Sequence, residues 1–196
     1  QLRLPFMDIA INGRFLTQQI TGVQRYAREL TIALDRLLDS RPNIRVTLYS
    51  PRLTGNVPQY RNIIRCFGGY VKGGHVWEQL ELPWLSRGKV LFCPGNTAPL
   101  MSLLGRQKVV TCVHDLSYLY FPAAYSPTFR FAYNVLMPIV LRKSNTIITV
   151  SESERKSIVE HYPFAESRLI AVQNGGLTAV VDIEGEHQHP QPQRYV

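Results

Sequence analysis

The stretch from Met7 to Tyr26 constrains the fold most, because a short apolar strand there runs through a loop directly into a long helix. Gly22 falls at the first turn of that helix. Apolar residues then recur every three or four positions, which predicts one apolar face, at Val23, Ala27, Leu30, Leu34 and Leu37. A helix that begins at glycine presents unobstructed backbone N–H groups and a positive dipole end. The stretch is therefore a candidate phosphate site, and a plain strand-to-helix connection is the alternative.

Strands and helices alternate through the rest of the chain. Predicted strands cover residues 4–11, 44–49, 62–67, 89–93, 107–113, 146–150 and 169–172. One predicted helix covers residues 22–38, and the segment 75–86 is predicted to be helical as far as Pro83. Two more helices are predicted to begin at Ser126-Pro127 and at Ser151. Several strands are continuous apolar runs, as in parallel sheets whose two faces are covered. We expect an α/β fold with a doubly wound, mostly parallel, Rossmann-like sheet.

Polar clusters follow four of these strands. They are Asn12–Gly22, Asn96-Thr97, His114-Asp115 and Ser151-Glu152. In open α/β sheets the ligand crevice lies outside the carboxyl ends of the strands. We therefore expect the four loops to converge on one ligand site.

His114 is the sharpest chemical feature, since a histidine near neutral pKa can hydrogen-bond a sugar hydroxyl or a phosphate. Asp115 can orient it, or can instead cap the following turn. Glu78 could present a carboxylate to the cleft, although a half-buried helix anchored by Trp77 explains the same segment. Ser151 is primarily a helix cap, with any ligand contact secondary.

Net charge is +8, and residues 1–120 carry 15 Lys/Arg against 7 Asp/Glu. No zinc-finger spacing, aromatic RNA-binding motif or basic run accompanies this charge, so we expect no nucleic-acid partner. Anionic lipid or a phosphorylated substrate fits at least as well. The candidates for peripheral membrane contact are Arg25, Arg28, Arg61, Arg65 and Lys72.

Three cysteines without CxxC spacing predict neither a disulfide framework nor a zinc site. We expect a reducing, cytoplasmic location, no metal and no signal peptide. The longest hydrophobic stretch, residues 129–141, contains an arginine and a proline and is too short to span a bilayer. The glycine spacing after the first strand differs from G-x-G-x-x-G, and the second strand does not end in an acidic residue, so the sequence argues against NAD binding. The sequence also has no P-loop motif, which argues against a P-loop ATPase.

The motifs together resemble the first half of retaining GT-B glycosyltransferases of family 4. The resemblance covers about residues 5–176 and rests on Asn12-Gly13-Arg14, Thr21–Tyr26, Trp77-Glu78-Gln79, Pro94-x-Asn96, Val113-His114-Asp115, Ile147–Glu152 and Asn174-Gly175. In that family two Rossmann-like domains face each other across a cleft. The first mainly binds the acceptor, and the second binds the nucleotide sugar.

The resemblance implies roles for individual residues. Gly22 and the amides of Val23 and Gln24 would approach the donor diphosphate, and His114 would contact the transferred sugar. The acceptor side would be lined by Asn96, Tyr118, Ser151 and Glu152. The donor is a nucleotide-sugar substrate, and no cofactor is expected.

Residues 1–174 are predicted to form the acceptor-binding domain, one half of a GT-B architecture. Residues 175–196, rich in His and Pro, are predicted to be a linker and the start of a C-terminal donor-binding domain that this sequence lacks. We expect a glycosyltransferase that acts on a saccharide or lipid-linked acceptor in bacterial polysaccharide or glycolipid synthesis. We expect the 196-residue chain alone to be inactive. The alternative is a non-catalytic sugar- or nucleotide-binding α/β module.

Overall fold

A computed structural model describes residues 6–52, 58–69, 71 and 74–175. Its strands are β1 (Met7–Asn12), β2 (Ile44–Pro51), β3 (Ile64–Gly68), β4 (Val90–Cys93), β5 (Val109–Cys112), β6 (Thr146–Thr149) and β7 (Leu169–Ala171). Its α-helices are α1 (Gly22–Leu37), α2 (Gly74–Leu80), α3 (Leu82–Leu85), α4 (Leu100–Leu104), α5 (Ser117–Tyr120), α6 (Pro127–Lys143) and α7 (Glu152–His161). Short 3-10 helices span Gly13–Thr17, Leu38–Ser40, Pro122–Ala124 and Pro163–Arg168.

The seven strands form one parallel sheet in the order β3-β2-β1-β4-β5-β6-β7. The chain builds outward from β1 in one direction, then returns and continues from β4 in the other. This arrangement confirms the predicted doubly wound α/β fold. Its topological switch point lies between β1 and β4, where such sheets open a ligand crevice.

Successive residues of a strand face opposite sides of the sheet. On β1, Ala10 belongs to one hydrophobic cluster and Ile11 to the other. The smaller cluster packs beneath α1, and the larger one packs against α2, α3, α4, α6 and α7. Burial of these apolar side chains holds the two layers to the sheet.

One face of the sheet is only partly covered at β5, β6 and β7. Val110, Ile148 and Ile170 alternate with buried neighbours and are half-buried or exposed in the described part of the chain.

The prediction that a helix ends at Pro83 is wrong. The break comes at Glu81, and Pro83 lies in the first turn of α3, where its missing N–H costs no hydrogen bond.

Helix caps follow the sequence closely. Ser126 and Ser151 accept hydrogen bonds from the backbone N–H groups of Phe129 (3.2 Å) and Glu154 (3.1 Å) at the starts of α6 and α7. Thr21 donates its backbone N–H to Gln24 Oε1 (3.2 Å) at the start of α1.

No described helix is long and apolar enough to cross a membrane. The predicted linker, apart from Gly175, lies outside the described residues.

Candidate functional site

A small cavity of about 150 Å³ opens at the switch point between β1 and β4. The segment after β1, the loop after β4 and the first turn of α1 contribute to it, and α2 and α6 close the sides. Its lining residues are Asn12, Arg14, Phe15, Gln18, Val23, Gln24, His75, Glu78, Pro94, Gly95, Asn96, Thr97, Phe129 and Tyr133. Below, these are called the switch-point cavity.

A buried ion pair forms the floor of the switch-point cavity. Arg14 Nε donates to Glu78 Oε2 at 2.7 Å, and the Glu78 side chain is completely buried. Asn12 Nδ2 donates to the same carboxylate oxygen at 2.8 Å, and Thr97 Oγ1 does so at 3.2 Å. Several hydrogen bonds therefore compensate the desolvation of the charges, which is the condition under which a buried pair is tolerated.

Arg14 also reaches the walls of the cavity. Its Nη2 donates to Thr97 Oγ1 at 2.8 Å, and its Nη1 donates to His75 Nε2 at 2.8 Å. Because guanidinium nitrogens only donate, the His75 nitrogen facing Arg14 must accept. Burial and then the Arg14 charge lower the pKa of His75, which favours the neutral imidazole at neutral pH.

The first turn of α1 is open to a ligand. A Cβ at Gly22 would meet no atom within 4 Å, so the space beside this residue is open in the described part of the chain. Gln24 is held by its bond to Thr21 N–H and donates its Nε2 to Gln18 Oε1 at 3.2 Å. Val23 packs beside Gly95 in the loop after β4. The predicted phosphate-facing residues therefore lie at the mouth of the switch-point cavity.

His114 lies just after β5, beside the loop that follows β4. Its Nε2 donates to the Pro94 carbonyl at 2.9 Å, and its backbone N–H donates to Asn96 Oδ1 at 2.8 Å. The Tyr26 ring packs edge-on against it, with centroids 4.7 Å apart. Burial lowers the pKa of His114, so the neutral ring keeps its proton on Nε2 and leaves the Nδ1 lone pair as an acceptor.

Other predicted site residues lie away from the switch-point cavity. Asp115 Oδ1 accepts from Ser117 N–H at 2.9 Å, which confirms the capping alternative. Tyr118 is buried and its hydroxyl bonds that of Tyr162 at 3.1 Å. Ser151 caps α7, and the exposed Glu152 pairs with Arg155 at 3.8 Å. Direct substrate contacts by these four residues stay predictions.

Comparison with known families now bears on this geometry. The model of Glycosyltransferase Family 4 matches residues 20–176. This chain belongs to that family. The match spans most of the chain and confirms the predicted resemblance. No curated protein matches the chain.

The family match begins at residue 20, so Asn12 and Arg14 lie outside it. The structure nevertheless joins them to Glu78, inside the match, through the buried ion pair and its hydrogen bonds. The family resemblance of this glycosyltransferase domain rests in part on the Asn12-Gly13-Arg14 and Trp77-Glu78-Gln79 motifs, but the sequence predicted no role for Arg14. A cation and a carboxylate 64 positions apart carry no sequence signal that they pair.

His75, Thr97, Phe129 and Tyr133 were also missed as cavity residues. The sequence does indicate a site at Thr97, because Asn96-Thr97 is a polar cluster that follows a predicted strand. Phe129 and Tyr133 lie in a predicted helix, and nothing in the sequence indicates that they line a cavity. Glu78 was predicted to contact substrate, but its carboxylate is occupied by Arg14, Asn12 and Thr97. Among the described residues no three His, Cys, Asp or Glu side chains group as metal ligands do.

Proposed function

We propose that this chain is the acceptor-side half of a retaining glycosyltransferase of GT-B architecture. The enzyme would transfer a sugar from a nucleotide-sugar donor to a saccharide or lipid-linked acceptor in bacterial polysaccharide or glycolipid synthesis. The observation that carries the proposal is the switch-point cavity itself. It has a pre-organised polar floor and lies beside the glycine helix start and the His114 loop, although neither Gly22 nor His114 lines it, at the edge where α/β sheets bind ligands.

The first turn of α1 is suited to an anionic group. The backbone N–H groups of Gly22 and Val23 lie at the start of the helix without an intrahelical acceptor, the Gln24 N–H meets the Thr21 side chain in a capping box, and the helix dipole favours negative charge there. Because no atom lies within 4 Å of where a Gly22 side chain would stand, a diphosphate can approach the backbone directly. These amides would stabilise charge that develops on the leaving nucleotide.

His114 would act on the transferred sugar as a hydrogen-bond acceptor. Its Nε2 proton is held by the Pro94 carbonyl, which leaves Nδ1 to accept a sugar hydroxyl. Asn96 fixes the loop by accepting the His114 backbone N–H. The pKa of His114, lowered by burial, keeps the ring neutral and the acceptor available at neutral pH.

A donor-binding partner domain is part of the proposal, as is a cytoplasmic location. We also propose that peripheral contact with anionic membrane brings a lipid-linked acceptor to the cavity. Arg25 and Arg61 are exposed, whereas Arg65 donates to the Pro58 carbonyl at 3.1 Å and stacks on Phe67. Lys72 lies outside the described residues. We expect no metal cofactor.

A transfer assay tests the proposed function. The 196-residue chain, and the same chain expressed with whatever coding sequence follows it, are incubated with a panel of nucleotide sugars and saccharide or lipid-linked acceptors. We expect transfer only where a second α/β domain is present. Turnover by the 196-residue chain alone would contradict the two-domain proposal. Saccharide binding without transfer in either form would favour the non-catalytic module.

A further inference from the structure

We propose that a second cavity, at the amino end of the sheet, binds a single molecule of a phosphate monoester that carries an apolar body. This amino-end cavity has a volume of about 850 Å³ and lies at the edge where β1, β4 and β5 begin. The inference goes beyond the proposed function and does not depend on it, because no residue lines both this cavity and the switch-point cavity.

Two loops with the same sequence pattern supply the cations of the amino-end cavity. Arg87-Gly88-Lys89 leads into β4 and Arg106-Gln107-Lys108 leads into β5, and each is followed by valine. The two strands are parallel neighbours, with Leu91 in register with Val109. The loops therefore lie side by side at one edge of the sheet, and both cations of each loop line the cavity.

Hydrogen bonds join the two loops. Gln107 Nε2 donates to the Ser86 carbonyl at 2.7 Å and to the Lys89 carbonyl at 3.2 Å. The Leu91 backbone N–H donates to the Lys108 carbonyl at 2.8 Å. Because these bonds already order the loop backbones, a ligand that bridges the two loops has less order to impose, which reduces the entropic cost of binding.

The charge of the lining is strongly positive. Its four cations are accompanied by one carboxylate, Asp8, which pairs with Arg45 at 3.8 Å. The side chains of Arg87, Arg106 and Lys108 are exposed and make no hydrogen bond or ion pair within the described ranges. Their donors are therefore available to an anion, and a guanidinium group suits phosphate because it donates two parallel hydrogen bonds.

The same cavity has an apolar wall. Trp84 is 63% exposed and Met101 is 54% exposed, and the half-buried Pro83 and Val90 complete this wall. Covering such side chains with an alkyl or aromatic group removes apolar surface from water, which is favourable. A cavity of about 850 Å³ lies within the usual size range of small-molecule sites. A phosphate ester with an apolar body matches the cations and the apolar wall together.

Two other anionic partners fit less well. A bilayer presents phosphate headgroups but retains its acyl chains, so it would meet the cations without filling the cavity. A nucleic acid presents phosphates at regular intervals along a strand, whereas the cations of this cavity are confined to two adjacent loops. Both partners are outcomes of the experiment below.

Tryptophan fluorescence of the 196-residue chain reports binding at this cavity. The sequence has two tryptophans, of which Trp77 is completely buried and Trp84 lines the cavity. We expect n-octyl phosphate, kept below its micelle concentration, to shift the Trp84 emission to shorter wavelength. Octanol, and inorganic phosphate used as a competitor, should each bind about tenfold more weakly or worse, because each makes only one of the two kinds of contact.

The Arg106→Gln, Lys108→Gln double variant should weaken n-octyl phosphate binding about tenfold through loss of two cations. The matched control is Arg25→Gln, Arg61→Gln, which removes the same charge from exposed positions outside the cavity and should bind as the unaltered chain does. Thermal unfolding establishes that each variant is folded. If the Arg106→Gln, Lys108→Gln variant is not, Arg87→Gln tests the other loop.

Five results would overturn the inference. The first three are no Trp84 shift with n-octyl phosphate, equal losses in the two double variants, and equally tight binding of octanol. The fourth is a shift with anionic vesicles or oligothymidylate but not with dispersed n-octyl phosphate, which would make the cations a membrane or nucleic-acid surface. The last is binding that requires removal of residues 1–5, which would show that the chain itself fills the cavity.

Discussion

Opposite ends of the sheet carry two ion pairs that differ in almost every respect. At the amino end Asp8 and Arg45 are 3.8 Å apart and both side chains are exposed. At the carboxyl end Arg14 and Glu78 are 2.7 Å apart and buried beneath the switch-point cavity. The first is a surface pair of the kind that contributes little to stability. The second also makes hydrogen bonds with Asn12, Thr97 and His75, and the Glu78 side chain is completely buried.

The cavities at the two ends differ in the same way. The amino-end cavity is the larger, about 850 Å³, and its lining includes Trp84, Met101, Arg87, Arg106 and Lys108. The side chains of Arg87, Arg106 and Lys108 make no hydrogen bond or ion pair within the described ranges. The switch-point cavity is about 150 Å³, with its polar atoms already oriented by one another. Volume alone favours the amino end, whereas convergent, pre-organised polar groups favour the switch-point cavity as the candidate site.

The largest expected effect comes from Glu78→Gln. Removing the carboxylate charge leaves the Arg14 guanidinium buried without its counter-ion, which should lower the free energy of unfolding by about 3–5 kcal/mol. Asp8→Asn is the matched change at the amino end and should cost less than about 1 kcal/mol, because that pair is exposed. Urea unfolding of both variants measures the difference. Similar costs at the two ends would remove the distinction drawn here.

His114→Ala is expected to act on catalysis rather than on folding. In the form of the enzyme that transfers sugar, it should lower kcat about 10²-fold through loss of one well-placed polar group. Glu160→Ala provides the comparison, since Glu160 is exposed on α7 and does not line the switch-point cavity. Steady-state kinetics and melting temperatures are measured together. An unchanged kcat with an unchanged melting temperature would leave His114 a structural residue of the loop.

Much of the fold is predictable because its signals are local. Apolar runs gave the strands of the parallel sheet, and Ser126 and Ser151 marked the helix starts because a hydroxyl there satisfies a free N–H. Two of the four polar clusters, those after β1 and β4, line the switch-point cavity, as expected where the carboxyl ends of parallel strands share one edge. The two short helices α4 and α5 were missed because four or five residues do not establish a helical period.

The partners within the site were not predictable, because they depend on contacts between distant segments. Glu78 reads as an exposed helix carboxylate until Arg14, Asn12 and Thr97 surround it. Tyr118 follows His114 closely in sequence, yet its hydroxyl turns to Tyr162, 44 positions away. Sequence proximity to a motif therefore predicts which segments are neighbours better than it predicts side-chain partners.

The smallest expected effect tests which cations meet a membrane. Under the proposed membrane contact, the Arg25→Glu, Arg61→Glu double variant should bind anionic vesicles more weakly, since each cation near such a surface contributes about 1 kcal/mol. The matched variant Arg106→Glu, Lys108→Glu changes charge equally at the amino-end cavity and should bind like the unaltered chain. Co-sedimentation with anionic and neutral vesicles, repeated as salt rises to about 0.5 M, provides the measurement, because screening weakens only the electrostatic part. If the Arg106→Glu, Lys108→Glu variant loses binding instead, the cations of the amino-end cavity beside Trp84 form the membrane surface. If the unaltered chain binds no vesicle at low salt, the acceptor reaches the switch-point cavity from solution.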